Sequence, residues 1–164
     1  MLVVTDSVGP LLYVFLVLAL GAVVNFFHTP GTDQYAFPLY TMEDAFRLKE
    51  HILKTLEAVD KNPALVDDGA LNFCIVGGGP TGVELAGALV ELLHAELKED
   101  YPNLPVDAAQ VLLYEHSPNL LGAVAPKLES CARKALEARD VKVRTGAGVA
   151  KMGPTSIDLS TGAT

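Results

Sequence analysis

The chain has 164 residues, 50% of them hydrophobic, so it is long enough to bury a core without the disulfides or metals that very small domains need. Its 20 acidic and 12 basic residues give a formal net charge of −8 at pH 7. This acidic balance argues against nucleic acid as a partner, because phosphate backbones are bound through an excess of Lys and Arg.

The two cysteines, Cys74 and Cys131, stand far apart and among apolar neighbours. We expect both to be buried free thiols, which suits a protein of a reducing compartment. The chain contains no CxxC or CxxH spacing. The sequence therefore predicts neither a dithiol redox centre nor a structural zinc site.

The first apolar segment, Leu11–Phe27, has two interpretations, a buried strand or a membrane segment. Its uninterrupted apolar part ends at Val24, which is short of the roughly 20 residues that a spanning helix needs. The first basic residue is Arg47, so the positive flank of a signal peptide or a membrane helix is missing. We therefore predict a fully buried strand over Tyr13–Leu20 that ends at Gly21, with the membrane segment as the alternative.

A loop with Pro30, Gly31 and Pro38 leads to a predicted connector helix. Thr41 has the side chain of an N-cap residue, and Pro63 lies beyond the helix end. Apolar residues recur at helical spacing along it: Phe46, Leu48, Ile52, Leu53, Leu56 and Val59. We expect this helix to dock one apolar stripe and to carry no chemistry.

From Ala70 onward, strand and helix patterns alternate along the chain. The first predicted segments are a strand over Ala70–Val76, a helix from Pro80 to about Leu97 and a strand over Val111–Glu115. Next comes a helix, "PKLESCARKALEARD", whose predicted inward face consists of Leu128, Cys131, Ala132, Ala135 and Leu136. The last segments are a strand, "VKVRTG", and a hairpin, "VAKMGPTSIDLSTGAT", that turns at Gly153-Pro154. This alternation predicts an α/β fold, with a parallel sheet, flanking helices and a C-terminal β-hairpin.

Three glycines, Gly77, Gly79 and Gly82, form a GxGxxG pattern directly after a predicted strand and at the start of a predicted helix. In a Rossmann-like dinucleotide site the first glycine turns the chain out of the strand, the second lets the pyrophosphate approach the backbone, and the third lets helix and sheet pack closely. The first-turn N–H groups then face the phosphates. The residues predicted to bind the dinucleotide in this stretch are Gly77, Gly78, Gly79, Pro80, Thr81 and Gly82.

The alternative to a dinucleotide site is a glycine-rich turn that happens to end a strand. Glu115 makes this alternative weaker, because it ends the second predicted strand, where a carboxylate can accept hydrogen bonds from the adenosine ribose and repels a 2′-phosphate. NADH is therefore favoured over NADPH. Glu115 lies further from Gly82 than the usual spacing of about 20 residues, which a long helix and an inserted loop over residues 98–110 would explain.

Other catalytic patterns have little support. The glycine loop lacks the Lys-Ser/Thr ending of a P-loop, and no GxSxG nucleophile elbow occurs. The four histidines, at positions 28, 51, 94 and 116, have no partners at metal-ligand spacing, so no metal site is predicted. Glu84 is expected in the first turn of the glycine-loop helix, where an acidic residue serves either helix stability or function.

Three stretches, "CIVGGGPTGVELAGALVELL", "VLLYEHSPNLL" and "PKLESCARKALEARDVKVRTGAGV", resemble the NADH-binding domain of the FAD-dependent pyridine nucleotide oxidoreductases, and most of all the type II, non-proton-pumping NADH:quinone dehydrogenases. The upstream stretch "YVFLVLALGAVVNFFHTPGTDQYAFPLYTMEDAFRLKEHIL" is similar to a strand, a Pro-Gly loop and a helix of the flavin domain of the same family, so the resemblance runs from about Tyr13 onward. The resemblance implies two nested Rossmann-like domains, in which NADH reduces FAD and the electrons pass to a quinone at a membrane. It also implies that Glu84 lies where nicotinamide and flavin meet.

The resemblance implies a division of this chain at Ala70. Residues 1–69 would be a remnant of the FAD-binding domain, and residues 70–164 a C-terminally incomplete NADH-binding domain. The family's FAD fingerprint is absent from the sequence, so we expect a fragment that binds NADH but neither holds FAD nor turns over alone. The intact enzyme would be peripheral at the inner face of a membrane, on the cytoplasmic or matrix side. The alternative is a free-standing dinucleotide-binding sensor without catalysis.

Overall fold

The computed structural model describes residues 2–7, 9–93, 101, 103–122 and 124–162. In chain order the helices and strands of these residues are β1 (Leu2–Thr5), β2 (Gly9–Leu12), α1 (Thr32–Tyr35), α2 (Met42–Lys61), β3 (Asn72–Val76), α3 (Pro80–Glu91), β4 (Gln110–Glu115), α4 (Pro126–Glu137), β5 (Lys142–Thr145), β6 (Val149–Met152) and β7 (Ile157–Leu159). Short 3-10 turns over Pro63–Val66 and Val106–Ala108 lie in the connections. The predicted end of α3 near Leu97 falls outside the described residues.

The central feature is a parallel sheet in the order β3-β4-β5. Ile75 of β3 pairs with Leu113 of β4, and Leu113 pairs in turn with Val143 of β5. Helix α3 packs on β3 and β4, α4 packs on β5, and the two helices contact each other, so both cover the same face of the sheet. The predicted α/β fold with a parallel sheet and flanking helices is confirmed.

The hydrophobic core lies between this covered face and the helices. Leu56 and Val59 bring the last turns of α2 into it, and Leu113 of the middle strand is fully buried. The other buried apolar residues of this core are Leu71, Ile75, Ala86, Leu89, Val90, Leu93, Leu104, Val106, Val111, Leu120, Leu136 and Val141. Every element from α2 to β5 therefore contributes to one core, which fixes the carboxyl ends of the strands relative to α3.

Helix α2 begins with a capping box, as the N-cap prediction for Thr41 requires. The Thr41 hydroxyl accepts a hydrogen bond from the Asp44 N–H at 3.1 Å, and the Asp44 carboxylate accepts one from the Thr41 N–H at 2.8 Å. The predicted apolar stripe is only partly buried. Phe46, near the start of the helix, is 63% exposed, whereas Leu56 and Val59 are fully buried, because only the C-terminal turns reach the core.

The predicted buried strand over Tyr13–Leu20 is wrong. These residues form no strand, and apart from the half-buried Tyr13 their side chains are exposed, with Phe15 at 92% and Leu20 at 91%. A strand needs a hydrogen-bonded neighbour, and in the described part of the chain the sheet pairs β3, β4 and β5 only with one another. None of the described helices is long and apolar enough to cross a membrane. An antiparallel pairing of β1 with β2, which the sequence did not predict, precedes this segment.

The prediction of buried cysteines is also wrong, since Cys74 and Cys131 are both exposed. Cys74 lies on β3 between Phe73 and Ile75, whose side chains point to the opposite face, and no described helix covers the Cys74 face. On α4, the residue whose side chain is buried is Leu136, whereas Leu128 is 60% exposed. The predicted inward face of α4 is therefore mostly open.

The C-terminal hairpin is confirmed. Strands β6 and β7 pair antiparallel, and the turn between them closes with a hydrogen bond from the Gly153 N–H to the Ser156 carbonyl at 2.8 Å. The hairpin docks on the Pro-Gly loop through a bond from the Met152 N–H to the Pro30 carbonyl at 2.9 Å. Gly31, at φ 84°, is required there, because a Cβ on it would overlap the Met152 carbonyl oxygen.

Candidate dinucleotide site

The glycine loop lies at the carboxyl edge of the sheet, between the end of β3 and the start of α3. Gly77 continues the ladder through a hydrogen bond from its N–H to the Tyr114 carbonyl at 2.8 Å, and the chain then turns at a φ of 111°. That φ lies in a region that favours glycine. Gly79 occupies the N-cap position, and Pro80 is the first residue of the helix, where a proline is well tolerated.

Gly82 allows the close packing of helix and turn that a dinucleotide fold needs. A Cβ on Gly82 would overlap the Gly77 carbonyl oxygen and would lie 3.5 Å from a methyl carbon of Ile75. Any larger residue would push the first turn of α3 away from the strand end. The requirement for this glycine is thus explained by contacts within the chain.

Gly79 differs from Gly82, because a Cβ on Gly79 would meet no other atom within 4 Å. Its backbone is extended, with φ −72° and ψ −179°, a conformation that any residue can adopt. Neither packing nor backbone strain within the described residues therefore requires a glycine here. The open space at Gly79 leaves room for a ligand to approach the main chain.

The N-terminus of α3 carries hydrogen-bond donors that the described side chains leave uncapped. No side chain caps the helix at Gly79, and the first helical residue is a proline without an N–H. The N–H groups of Thr81 and Gly82 accordingly have no acceptor among the described residues. Unpaired donors and the helix dipole make such an end favourable for a phosphate group.

Glu115 lies beside this loop, at the end of β4. One oxygen of its carboxylate, Oε2, accepts a hydrogen bond from the Gly78 N–H at 2.7 Å, and the other, Oε1, accepts one from the Ser117 N–H at 2.6 Å. The main-chain carbonyl of Glu115 accepts a hydrogen bond from the Ala147 N–H at 3.0 Å. The structure thus brings the predicted acidic residue and the glycine loop into direct contact, although they are far apart in sequence.

The charge of Glu115 is stabilised in this position. Partial burial raises the pKa of its carboxyl group, but the N–H groups of Ser117 and Gly78, together with the Ser117 side chain, lower it, so the pKa lies below the ordinary value. An ionised carboxylate has about four lone-pair sites. Two of them are used by these N–H groups, which leaves acceptor capacity for hydroxyl groups of a ligand.

The loop after β4 supports the glycine loop in ways that the sequence analysis missed. The Leu121 N–H donates to the Gly78 carbonyl at 2.8 Å, and the fully buried side chain of Leu120 occupies the space that a Cβ on Gly78 would need. The signal for this contact was the apolar pair Leu120-Leu121 directly after the polar run from His116 to Asn119.

Glu84 is the fifth residue of α3, so it lies in the second turn of the helix. The prediction that it lies in the first turn is wrong. The helix dipole acts chiefly within the first turn, which makes helix stability a weaker reason for its presence. Its side chain is exposed, and no described residue forms a hydrogen bond or ion pair with it. The described contacts therefore assign it no structural task.

The three histidines that the structure describes lie apart from one another in the fold. His51 stacks on Phe37 with ring centroids 4.3 Å apart, His116 lies against Gly148, and His94 falls outside the described residues. Among the residues described, no group of three or more His, Cys, Asp or Glu side chains could hold a metal ion.

Comparison with known proteins identifies the group to which the chain is similar. The sequence profile of the pyridine nucleotide-disulphide oxidoreductases matches residues 3–162. The chain is 31% identical over 150 residues to the mitochondrial external alternative NAD(P)H-ubiquinone oxidoreductase B1 of Solanum tuberosum, a match that covers 90% of this chain and 26% of the relative. It is 33% identical over 138 residues to the type II NADH:quinone oxidoreductase NdhA of Mycobacterium tuberculosis, covering 84% of this chain and 29% of that protein.

The fold comparison agrees with the sequence comparison. The structure of NDH2 from Plasmodium falciparum in complex with NADH matches with a TM-score of 0.82 at 25% identity, over 94% of this chain and 32% of the other. The chain thus spans between a quarter and a third of the length of these relatives. The resemblance to the type II NADH:quinone dehydrogenases, predicted from the sequence motifs, is confirmed. The chain belongs to the pyridine nucleotide-disulphide oxidoreductase family.

Proposed function

We propose that this chain is the NADH-binding part of a type II NADH:quinone oxidoreductase. One observation carries the proposal: the glycine loop leaves open space at Gly79 and uncapped N–H groups on α3, and the ionised Glu115 lies directly beside them. This combination places hydrogen-bond donors for a pyrophosphate and a hydrogen-bond acceptor for a ribose at one edge of the sheet. Both groups occur together in a dinucleotide.

In this proposal the loop from Gly77 to Gly82 binds the pyrophosphate through main-chain N–H groups and the dipole of α3. The free lone pairs of Glu115 accept hydrogen bonds from the hydroxyl groups of the adenosine ribose. A 2′-phosphate would bring further negative charge against the carboxylate, whose lowered pKa keeps it ionised at neutral pH. NADH is therefore preferred over NADPH.

Glu84 is proposed to act at the reacting end of the nicotinamide, where the dinucleotide meets the flavin. Its exposure, and its freedom from contacts with other described residues, support a role toward a ligand. Its position one turn along α3 from the loop keeps it on the element that would hold the pyrophosphate. Bound NADH supplies a hydride, and this chain supplies the side chains that orient the dinucleotide.

The intact protein is proposed to pass that hydride to FAD and the electrons on to a quinone, as a peripheral protein at a membrane surface on the cytoplasmic or matrix side. Residues 1–69 would then belong to the flavin domain and residues 70–164 to the NADH domain. The exposed apolar side chains between Tyr13 and Phe27 support this division, because an uncovered apolar surface of that size marks a contact with other protein. The sequence holds one GxGxxG, at Gly77, so the described residues do not fit a second dinucleotide such as FAD.

Calorimetric titration of the purified chain with NADH and with NADPH tests the proposal. We expect saturable NADH binding, with NADPH weaker by at least about tenfold, which corresponds to about 1.4 kcal/mol. A visible spectrum of the same sample should show no bound flavin. Tighter binding of NADPH would contradict the role of Glu115, and stoichiometric flavin would contradict the proposal that these residues hold no FAD.

A further inference from the structure

The side chain of Glu115 bridges two loops at the edge of the sheet. Its carboxylate accepts N–H hydrogen bonds from Gly78 in the glycine loop and from Ser117 in the loop after β4, at 2.7 and 2.6 Å. The paired residues Val76 and Tyr114 end the register between the two strands just before this point. Beyond that pair and the bond from the Gly77 N–H, the two loops are joined by the Glu115 side chain and by the hydrogen bond from the Leu121 N–H to the Gly78 carbonyl.

Gly78 depends on this bridge more than its neighbours do. It is buried, whereas Gly79 beside it is exposed. Its carbonyl accepts a hydrogen bond from the Leu121 N–H in the loop after β4, and its N–H donates one to the Glu115 side chain at the end of β4. Both of its main-chain polar groups are therefore satisfied. A buried N–H without an acceptor is costly. The Glu115 carboxylate therefore sets the orientation of the Gly77–Gly78 peptide, and the Leu121 N–H sets that of the Gly78–Gly79 peptide.

We propose that Glu115 is a positioning residue of the glycine loop, which holds Gly78 in place before any dinucleotide binds. This role is separate from a contact with ribose. It orders the loop so that the uncapped N–H groups of α3 already face the space where a pyrophosphate would lie, and the loop then needs no rearrangement on binding. The identity of the ligand as a dinucleotide rests on the proposed function, whereas the hydrogen bonds that Glu115 makes to the two loops do not depend on it.

A carboxylate is suited to this task because it offers an acceptor to each of two donors. A glutamine of the same length has one carbonyl oxygen and one NH2 group. Whichever way its amide is turned, an NH2 group would face either the Gly78 N–H or the Ser117 N–H. An aspartate is one methylene shorter and cannot reach both donors from the same main-chain position.

The test is Glu115→Gln in the full 164-residue chain without nucleotide, with amide hydrogen exchange followed by NMR. We expect exchange at Gly78 or Ser117 to become faster by roughly tenfold or more, while exchange at Leu113 in the core of β4 stays within about twofold. The matched control is Glu57→Gln, on an exposed part of α2, which should change none of these amides. Unchanged exchange at both Gly78 and Ser117, or an equal increase at Leu113, would overturn the proposal.

A second measurement covers the case in which Glu115→Gln does not fold. In the wild-type chain, the amide proton shifts of Gly78 and Ser117 are followed while the pH is lowered. Both should move together with one midpoint, because both N–H groups donate to the same carboxylate and report its protonation. Independent or absent shifts would refute the bridge. Neither measurement uses NADH, so a failure of the bridge and a failure to bind NADH are distinguishable.

Discussion

Two substitutions in the glycine loop separate a glycine required by packing from a glycine required by a ligand. In Gly82→Ala, the new methyl group overlaps the Gly77 carbonyl oxygen, so the first turn of α3 has to move away from β3. Overpacking of this kind costs about 1–3 kcal/mol, which for a chain of this length lowers Tm by roughly 2–12 °C. The variant should be clearly less stable than the wild type.

Gly79→Ala should behave in the opposite way. Its methyl group enters open space, in a backbone conformation that alanine adopts without strain. The loss at the N-cap position, about 1 kcal/mol or less, is offset by about 0.4–1 kcal/mol from the less flexible unfolded chain. Stability should be nearly unchanged, whereas the Kd for NADH should rise at least tenfold, or about 1.4 kcal/mol, because the methyl group holds the pyrophosphate away from the backbone.

The matched control is Gly153→Ala. Gly153 also precedes a proline, and a Cβ there would lie 3.4 Å from its nearest neighbour, the Ser156 hydroxyl, in the turn between β6 and β7. This variant should keep both stability and NADH affinity. Thermal unfolding and calorimetric titration of the three variants make the comparison. The reasoning is refuted if Gly79→Ala binds NADH like the wild type, or if Gly82→Ala melts at the wild-type temperature.

Three further predictions follow from the described contacts. Thr41→Ala should lower the free energy of unfolding by about 1 kcal/mol in urea titrations, because it removes the capping-box acceptor of α2; an unchanged urea midpoint would contradict the capping role. Phe15→Ser should change stability by less than about 0.5 kcal/mol and reduce aggregation, because Phe15 is 92% exposed; a loss of several kcal/mol would mean that the side chain is buried. The stability that Glu115 contributes should be complete above about pH 4.5, its ordinary pKa, and should be lost as the pH falls through its lowered pKa. Glu115→Gln should therefore make the free energy of unfolding fall less steeply at acidic pH. The same acid dependence in both proteins would count against the lowered pKa.

The alternation of strands and helices from Ala70 onward was predictable because each of these elements carries its own periodicity. The glycine spacing likewise predicted the turn between β3 and α3. Both signals are local, and the structure confirms the order of elements they imply. The Thr41 N-cap was predictable for the same reason, since its partner Asp44 is three residues away.

The failures concern contacts that a local pattern does not encode. The apolar run over Tyr13–Leu20 indicates a preference for burial, but it does not specify a neighbouring strand, and the described residues provide none. Cys74 has apolar neighbours on both sides, yet the described helices that pack on the sheet, α3 and α4, cover the opposite face. The hydrogen bond between Gly78 and Glu115 joins residues 37 positions apart, so the sequence predicted both partners but not their contact.

The most direct test of the central claim is an NMR titration of the full chain with NADH that maps where the dinucleotide binds. The account predicts that the largest amide shift changes fall on Gly77 to Val83 and on Ser117 beside Glu115, with little change in the hairpin of β6 and β7. Shift changes confined to other parts of the chain, or no changes at millimolar NADH, would contradict it.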